Sequence, residues 1–166
     1  MTLKTPGKRP KELLCRIPVL NRQRQVKFDR RSVALFCSRL LESLNMADRS
    51  LSIVFVGRRE MRGMNHRFRG RDYATDVLSF PYGEMKMEGM PFLGEIVIAP
   101  GVAVDQALRY GVRPDKEIRK LLVHGMLHLL GYDHETDRGE MNRVQAALLR
   151  RKCCLSESPL LPEVPR

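Results

Sequence analysis

HGMLHLLGYDH, residues 124–134, holds three of the chain's four histidines, at relative positions 0, 4 and 10. An i, i+4 step on an α-helix advances about 6 Å and returns to within about 40° of the same face, so His124 and His128 are placed to share one ion. Gly131 stands three residues after His128, where a helix closing in left-handed geometry takes glycine. The reversal it permits brings His134 in as a third ligand. Three neutral imidazoles with an open fourth position are the donor set of a catalytic zinc, whereas a structural zinc is normally closed by four protein ligands. A single histidine on an apolar helix is ordinarily a hydrogen-bonded core residue, but three of them around a glycine turn are a costly way to fill a core. The expectation is one zinc per chain, with other imidazole-binding divalent ions as alternatives.

The residues leading into this stretch, from Leu121 onward, are apolar on nearly all sides apart from the histidines, and Pro114 suits the first turn of a helix running to Leu130. That describes a buried helix carrying a metal. The histidine spacing also matches the metzincin pattern H-E-x-x-H-x-x-G-x-x-H except at its second position, where this chain has Gly125 in place of the glutamate that serves as general base. A metal cage without its proton acceptor argues for metal–water chemistry on a substrate other than a peptide.

HGMLHLLGYDH resembles the signature of the YbeY family, bacterial and organellar single-domain metal-dependent endoribonucleases. Asn65, Arg69, Gly70 and Asp72, then TDVLSFP (residues 75–81) and LGEI (residues 93–96), resemble that family's other motifs in the same order, so the likeness spans about residues 50–150. The resemblance implies a zinc-dependent endoribonuclease acting on single-stranded RNA, in maturation of ribosomal RNA at the small-subunit 3′ end and in ribosome quality control. It implies the small ribosomal subunit and its assembly factors as partners, and Arg69 as the catalytic residue that clamps the scissile phosphate. It also makes a place near the metal plausible for Glu95, an acid inside an apolar strand that otherwise reads as solvent-facing. Whether water or the RNA 2′-OH is the nucleophile stays open. A metallopeptidase-like hydrolase and a non-catalytic RNA-binding assembly factor with structural zinc are the alternatives.

Further out, Arg58, Arg59, Arg62, Arg67, Arg69 and Arg71 crowd into fourteen residues. The first three read equally well as a solvated helix face. Arg67 and Arg71, with Arg69, lead into a glycine-containing loop where guanidinium forks can converge on phosphate oxygens, and are candidate substrate-binding residues. Asp133, beside the third histidine, is a candidate for orienting a ligand or an ordinary turn aspartate. His66 has no partner at ligand spacing.

Composition points to a polyanionic partner, nucleic acid or an anionic membrane surface, without separating RNA from DNA: 30 Lys+Arg against 19 Asp+Glu give a net charge of +11. Cys15, Cys37, Cys153 and Cys154 show no C-x-x-C spacing, which favours a reduced, cytoplasmic protein. There is no leader-like apolar stretch and no run long enough to span a bilayer, so no membrane is expected. The 166 residues suit one domain over 13–152, between a disordered basic tail at 1–12 and a disordered Pro-rich tail at 153–166.

Within that domain, residues 13–20 suit an edge strand because of Pro18, and Asp29 suits the N-cap of a helix with Val33, Phe36, Cys37, Leu40, Leu41 and Leu44 on its inner face. Residues 51–56, 76–80 and 93–99 read as strands, with 82–92 as a mobile loop. Residues 58–68, 102–110 and 140–152 read as helices, the last with Met141, Val144, Gln145 and Leu148 inward. The sum is an α+β domain with a small sheet of about four strands and no βαβ regularity, and the resemblance to the YbeY family implies the same, a mixed sheet flanked by helices with the zinc-binding helix on one side.

Overall fold

A computed structural model describes residues 16–151 and 159–161. It contains β1 (Val19–Asn21), α1 (Arg30–Ser43), β2 (Ser50–Phe55), α2 (Arg58–Arg69), β3 (Val77–Pro81), β4 (Lys86–Met87), β5 (Met90–Ile98), α3 (Pro100–Arg109), α4 (Pro114–Leu129) and α5 (Glu140–Leu149). The sheet runs β1-β2-β5-β3, parallel for the first two pairs and antiparallel for the last. β4 adds a fifth strand, paired with β5 as a short hairpin inside the stretch read from sequence as a loop. The sequence reading also missed that β1, α1 and β2 form one βαβ unit, because β1 is three residues long and begins only after Pro18.

Strand alternation sorts the core. On β2 and β5, Leu51, Ile53, Phe55, Ile96 and Ile98 face the larger cluster, which includes residues of α1, α4 and α5. Val54, Val56, Val97 and Ala99 face a smaller cluster closed by Met61 of α2 and Val102 of α3. A strand buried on both faces reads as a continuous apolar run, which is why β2 was legible. Asp29 caps α1 as expected, its carboxylate accepting from the Arg31 and Ser32 N–H groups.

Two glycines set how closely α4 lies on the sheet. A Cβ on Gly125 would stand 2.7 Å from Ile96 Cγ2 and 3.1 Å from Ser79 Oγ. On the sheet side Gly94 has φ +142°, and a Cβ there would collide with the Phe80 carbonyl and approach Leu129 of α4. Gly94 falls at a register shift where β5 carries one residue more than β2, so a bulge and a contact point coincide. Ser79 Oγ then donates to the Gly125 carbonyl at 3.3 Å, linking β3 to the middle of α4.

The C-terminal segment departs from expectation. Residues 1–12 lie outside the described residues, as do most of 153–166, but Leu160 and Leu161 are buried to 1% and 4% exposure within the larger cluster. Their N–H groups donate to Asp115 Oδ1 at 2.6 and 3.3 Å, and the Leu160 carbonyl accepts from Asp29 N–H at 3.1 Å. At these residues the tail read as disordered is docked. Asp115 itself ion-pairs with Arg119, 2.8 Å away.

Candidate metal centre

α4 ends at Leu129, and Gly131 at φ +89° donates its N–H to the His128 carbonyl while Tyr132 N–H reaches the Leu127 carbonyl. These bonds satisfy carbonyls left over at the helix end. The reversal carries His134 back over the last turn. A ligand atom from each of His124, His128 and His134 lies within 4.8 Å of the others, and the ring centroids are 4.7, 5.2 and 5.2 Å apart. His124 and His128 are half-buried and His134 is exposed, so the cluster opens to solvent on the His134 side.

The donor geometry fits a metal. His124 Nε2 and His128 Nε2 are 3.1 Å apart. Two imidazole nitrogens at about 2.0–2.1 Å from a tetrahedral zinc lie about 3.3 Å from each other. His124 Nδ1 is 3.0 Å from Gln145 Oε1 of α5. A carbonyl oxygen accepts and cannot donate, so Nδ1 carries the proton and Nε2 keeps its lone pair for the cluster.

Electrostatics point the same way. Burial holds the His124 pKa below its usual value, with His128 and His134 adding to the effect, while the Gln145 hydrogen bond and the Asp76 carboxylate work against it. Burial also lowers His128, aided by His134 and by the positive charge of Arg69, against the Tyr132 backbone hydrogen bond and Asp133. Depressed values favour the neutral rings that a metal requires.

Position 125, where a metzincin glutamate would stand, packs closely against Ile96 and Ser79 of the sheet. Glycine there offers no group to accept a proton, which weakens the peptidase alternative.

Arg69 ends α2 and Gly70 closes it in left-handed conformation, while Arg67 is in the last helical turn and Arg71 just beyond the cap. The helix therefore extends further into the arginine run than the sequence suggested. Arg58 and Arg62 are ion-paired on the surface, with Asp105 and Asp72 respectively. A cleft bordered by Gly57, Arg58, Arg59 and Arg62 opens between α2 and the chain after β1, and no histidine lines it. His66 lies exposed on α2, outside the cluster.

Asp133 behaves as a turn aspartate: its carboxylate accepts from Glu135 N–H at 3.0 Å and from the Thr136 hydroxyl at 3.1 Å, and these bonds hold its pKa down. Glu95 accepts from Ser52 Oγ at 3.0 Å and alternates with Ile96, which faces α4. It therefore projects from the sheet face opposite the histidine helix, and its suggested place beside the metal has no contact to support it. Two neighbours of the cluster escaped the sequence reading. The sequence places Gln145 on the inner face of α5, and a polar residue at that apolar position is the available signal. Asp76 enters the sequence reading only within the TDVLSFP motif and as the start of the strand at 76–80.

The model of the family described as endoribonuclease YbeY matches residues 18–152. The chain belongs to that family. It is 35% identical over 143 residues to the endoribonuclease YbeY of Thermodesulfovibrio yellowstonii, covering 78% of this chain and 90% of the relative. It is 44% identical over 106 residues to that of Nautilia profundicola, covering 64% and 74%. A Thermotoga maritima protein solved in solution superposes with a TM-score of 0.56 at 28% identity, covering 80% of this chain and 86% of that one. The YbeY match begins at Pro18, beside β1, and takes in all three histidines, Arg69, Asp76 and Gln145. No helix among the described residues is long and apolar enough to cross a membrane.

Proposed function

We propose that the chain is a zinc-dependent endoribonuclease that cleaves single-stranded RNA and acts in ribosomal RNA maturation, at the small-subunit 3′ end, in the cytoplasm. The observation that carries this reading is the convergence of three imidazoles on a solvent-open point, in a YbeY-family chain of net charge +11. His124, His128 and His134 would hold one ion, and the donor set suits zinc. Bound there, the ion supplies acidification of a water and polarisation of the scissile phosphate.

The chain's own groups supply the rest. Gln145 fixes the His124 tautomer, and Gly125 and Gly94 let α4 seat firmly so that the histidines keep their spacing. Arg69, at the end of α2, would supply a permanent positive charge whose planar fork can grip two phosphate oxygens and stabilise charge developing in the transition state. The small ribosomal subunit and its assembly factors are the proposed partners.

Incubating a labelled single-stranded ribosomal RNA fragment with the purified protein, with and without chelator, tests this. Cleavage that chelator abolishes and zinc restores is expected. A 5′-phosphate on the product indicates attack by water, and a 2′,3′-cyclic phosphate indicates attack by the 2′-OH. Absence of cleavage by zinc-repleted protein would contradict the proposal, and hydrolysis of a peptide library instead would favour the metallopeptidase.

A further inference from the structure

Phe68 and Tyr73, at the end of α2 and just beyond it, are 55% and 53% exposed. Neither ring is loosely attached. Phe68 meets Phe80 of β3 edge-on with centroids 5.0 Å apart, and the Arg67 guanidinium lies 5.4 Å from its centre. Tyr73 is anchored through its backbone: the amide of Asn65, itself 1% exposed, donates to the Tyr73 carbonyl at 2.8 Å, and Arg71 Nη1 donates to the phenol oxygen at 3.3 Å. Arg71 N–H bonds back to the Asn65 carbonyl, so the 70–73 loop is fixed on the helix that carries Phe68.

Arg67, Arg69 and Arg71 form no ion pair among the described residues, whereas the nearby carboxylate of Asp72 is taken up by Arg62 in a two-pronged pair at 2.8 Å. β3 is the edge strand of the sheet and carries Phe80 against Phe68 on one face and Ser79 against Gly125 of α4 on the other, so a strand rounding this edge passes from the rings toward the histidine helix. Arg69 closes the helix that carries Phe68.

Ordered, half-open aromatic rings set among guanidinium groups without acidic partners match an unpaired nucleobase together with its phosphate: the π-face takes the base and the arginines take the backbone. We infer that Phe68 and Tyr73 form a base-stacking platform that feeds single-stranded RNA to the metal centre. The inference rests on the RNA-cleaving reading above and deepens it, because bases stacked within a duplex present no free face to these rings. The single-strand preference then originates at the platform.

Equilibrium binding of the full chain tests it, using a 2′-O-methyl phosphorothioate single strand that resists cleavage and an abasic strand of equal length and charge. Wild type is expected to prefer the base-bearing strand, with roughly a tenfold contribution from each ring. Phe68→Leu and Tyr73→Leu, which keep apolar bulk but remove the π-face, should each lower that preference, and the double variant should bring it close to one. Melting temperature and salt dependence on the abasic strand should not move, and Phe68→Tyr and Tyr73→Phe should retain the preference. No preference in wild type, or preference retained by the double leucine variant, overturns the platform while the endoribonuclease reading stands. Failure of wild type to bind either strand overturns both.

Discussion

At the scale of single residues, chemistry and charge separate at Arg69. If its fork stabilises the transition state, Arg69→Ala lowers turnover by a factor of about 100 or more while zinc content and melting temperature stay near wild type. Arg69→Lys keeps the charge, loses the planar fork and should rescue in part. Arg58→Ala is the control, since Arg58 is spent on Asp105 at the surface; steady-state kinetics should show turnover unchanged. Equal effects of the two alanines, confined to salt-sensitive affinity, would reduce Arg69 to part of the electrostatic surface. Gln145 acts through His124. Gln145→Leu removes the acceptor that fixes the ring, and a competitive chelator titration should find zinc affinity lower by about 10- to 100-fold. Affinity equal to wild type would mean the tautomer needs no help from α5. Gly125→Ala belongs to packing: a methyl group 2.7 Å from Ile96 Cγ2 should destabilise the fold by about 1–3 kcal/mol, read by denaturant unfolding.

Between elements, legibility depended on how local each determinant was. The histidine helix and its glycine turn were readable because spacing and φ preference are encoded within eleven residues. So were the Asp29 cap and the apolar face of α1. What failed was non-local. Leu160 and Leu161 sit in a Pro-rich sequence without periodicity, and their hydrogen-bond partner Asp115 is 45 and 46 residues away. The two-residue β4 has no strand pattern of its own and exists through its pairing with β5. Glu95 looked ambiguous because choosing between sheet faces requires knowing which face α4 covers. Gln145 stood visibly on an apolar face, but its partner lies 21 residues upstream on another helix. The docked C-terminus can be tested directly. Leu160→Ala should cost about 2–5 kcal/mol, as expected of a buried leucine in a packed core. A stability change near zero in denaturant unfolding would show that the segment does not hold this position in solution.

Over the whole molecule, net charge and proton linkage set the response to conditions. Binding of single-stranded RNA by a +11 chain should weaken steeply with salt, with a log–log slope of roughly −0.7 per phosphate neutralised. A flat response would mean that the basic surface is not the binding surface. For pH, His124 and His128 are held below the imidazole value by burial, so the unfolded chain takes up protons that the fold resists. Stability of the metal-free protein therefore rises with pH between the depressed folded values and the unfolded value of about 6.5, and falls on acidification through that window. In chelator, the melting temperature of wild type should drop more between neutral and mildly acidic pH than that of a His124→Gln/His128→Gln chain. An equal drop would place the linkage elsewhere.

The three-histidine centre itself is tested most directly by elemental analysis of zinc per chain, with RNA turnover measured on the same samples, for wild type and for His124→Ala, His128→Ala and His134→Ala. Wild type is expected to hold one tightly bound zinc and to cut RNA, and each alanine variant to lose both together while staying folded. A His134→Ala protein that keeps a full equivalent of tightly held zinc, or any of the three variants that loses the metal and still cuts RNA at the wild-type rate, would contradict a catalytic ion held by these histidines.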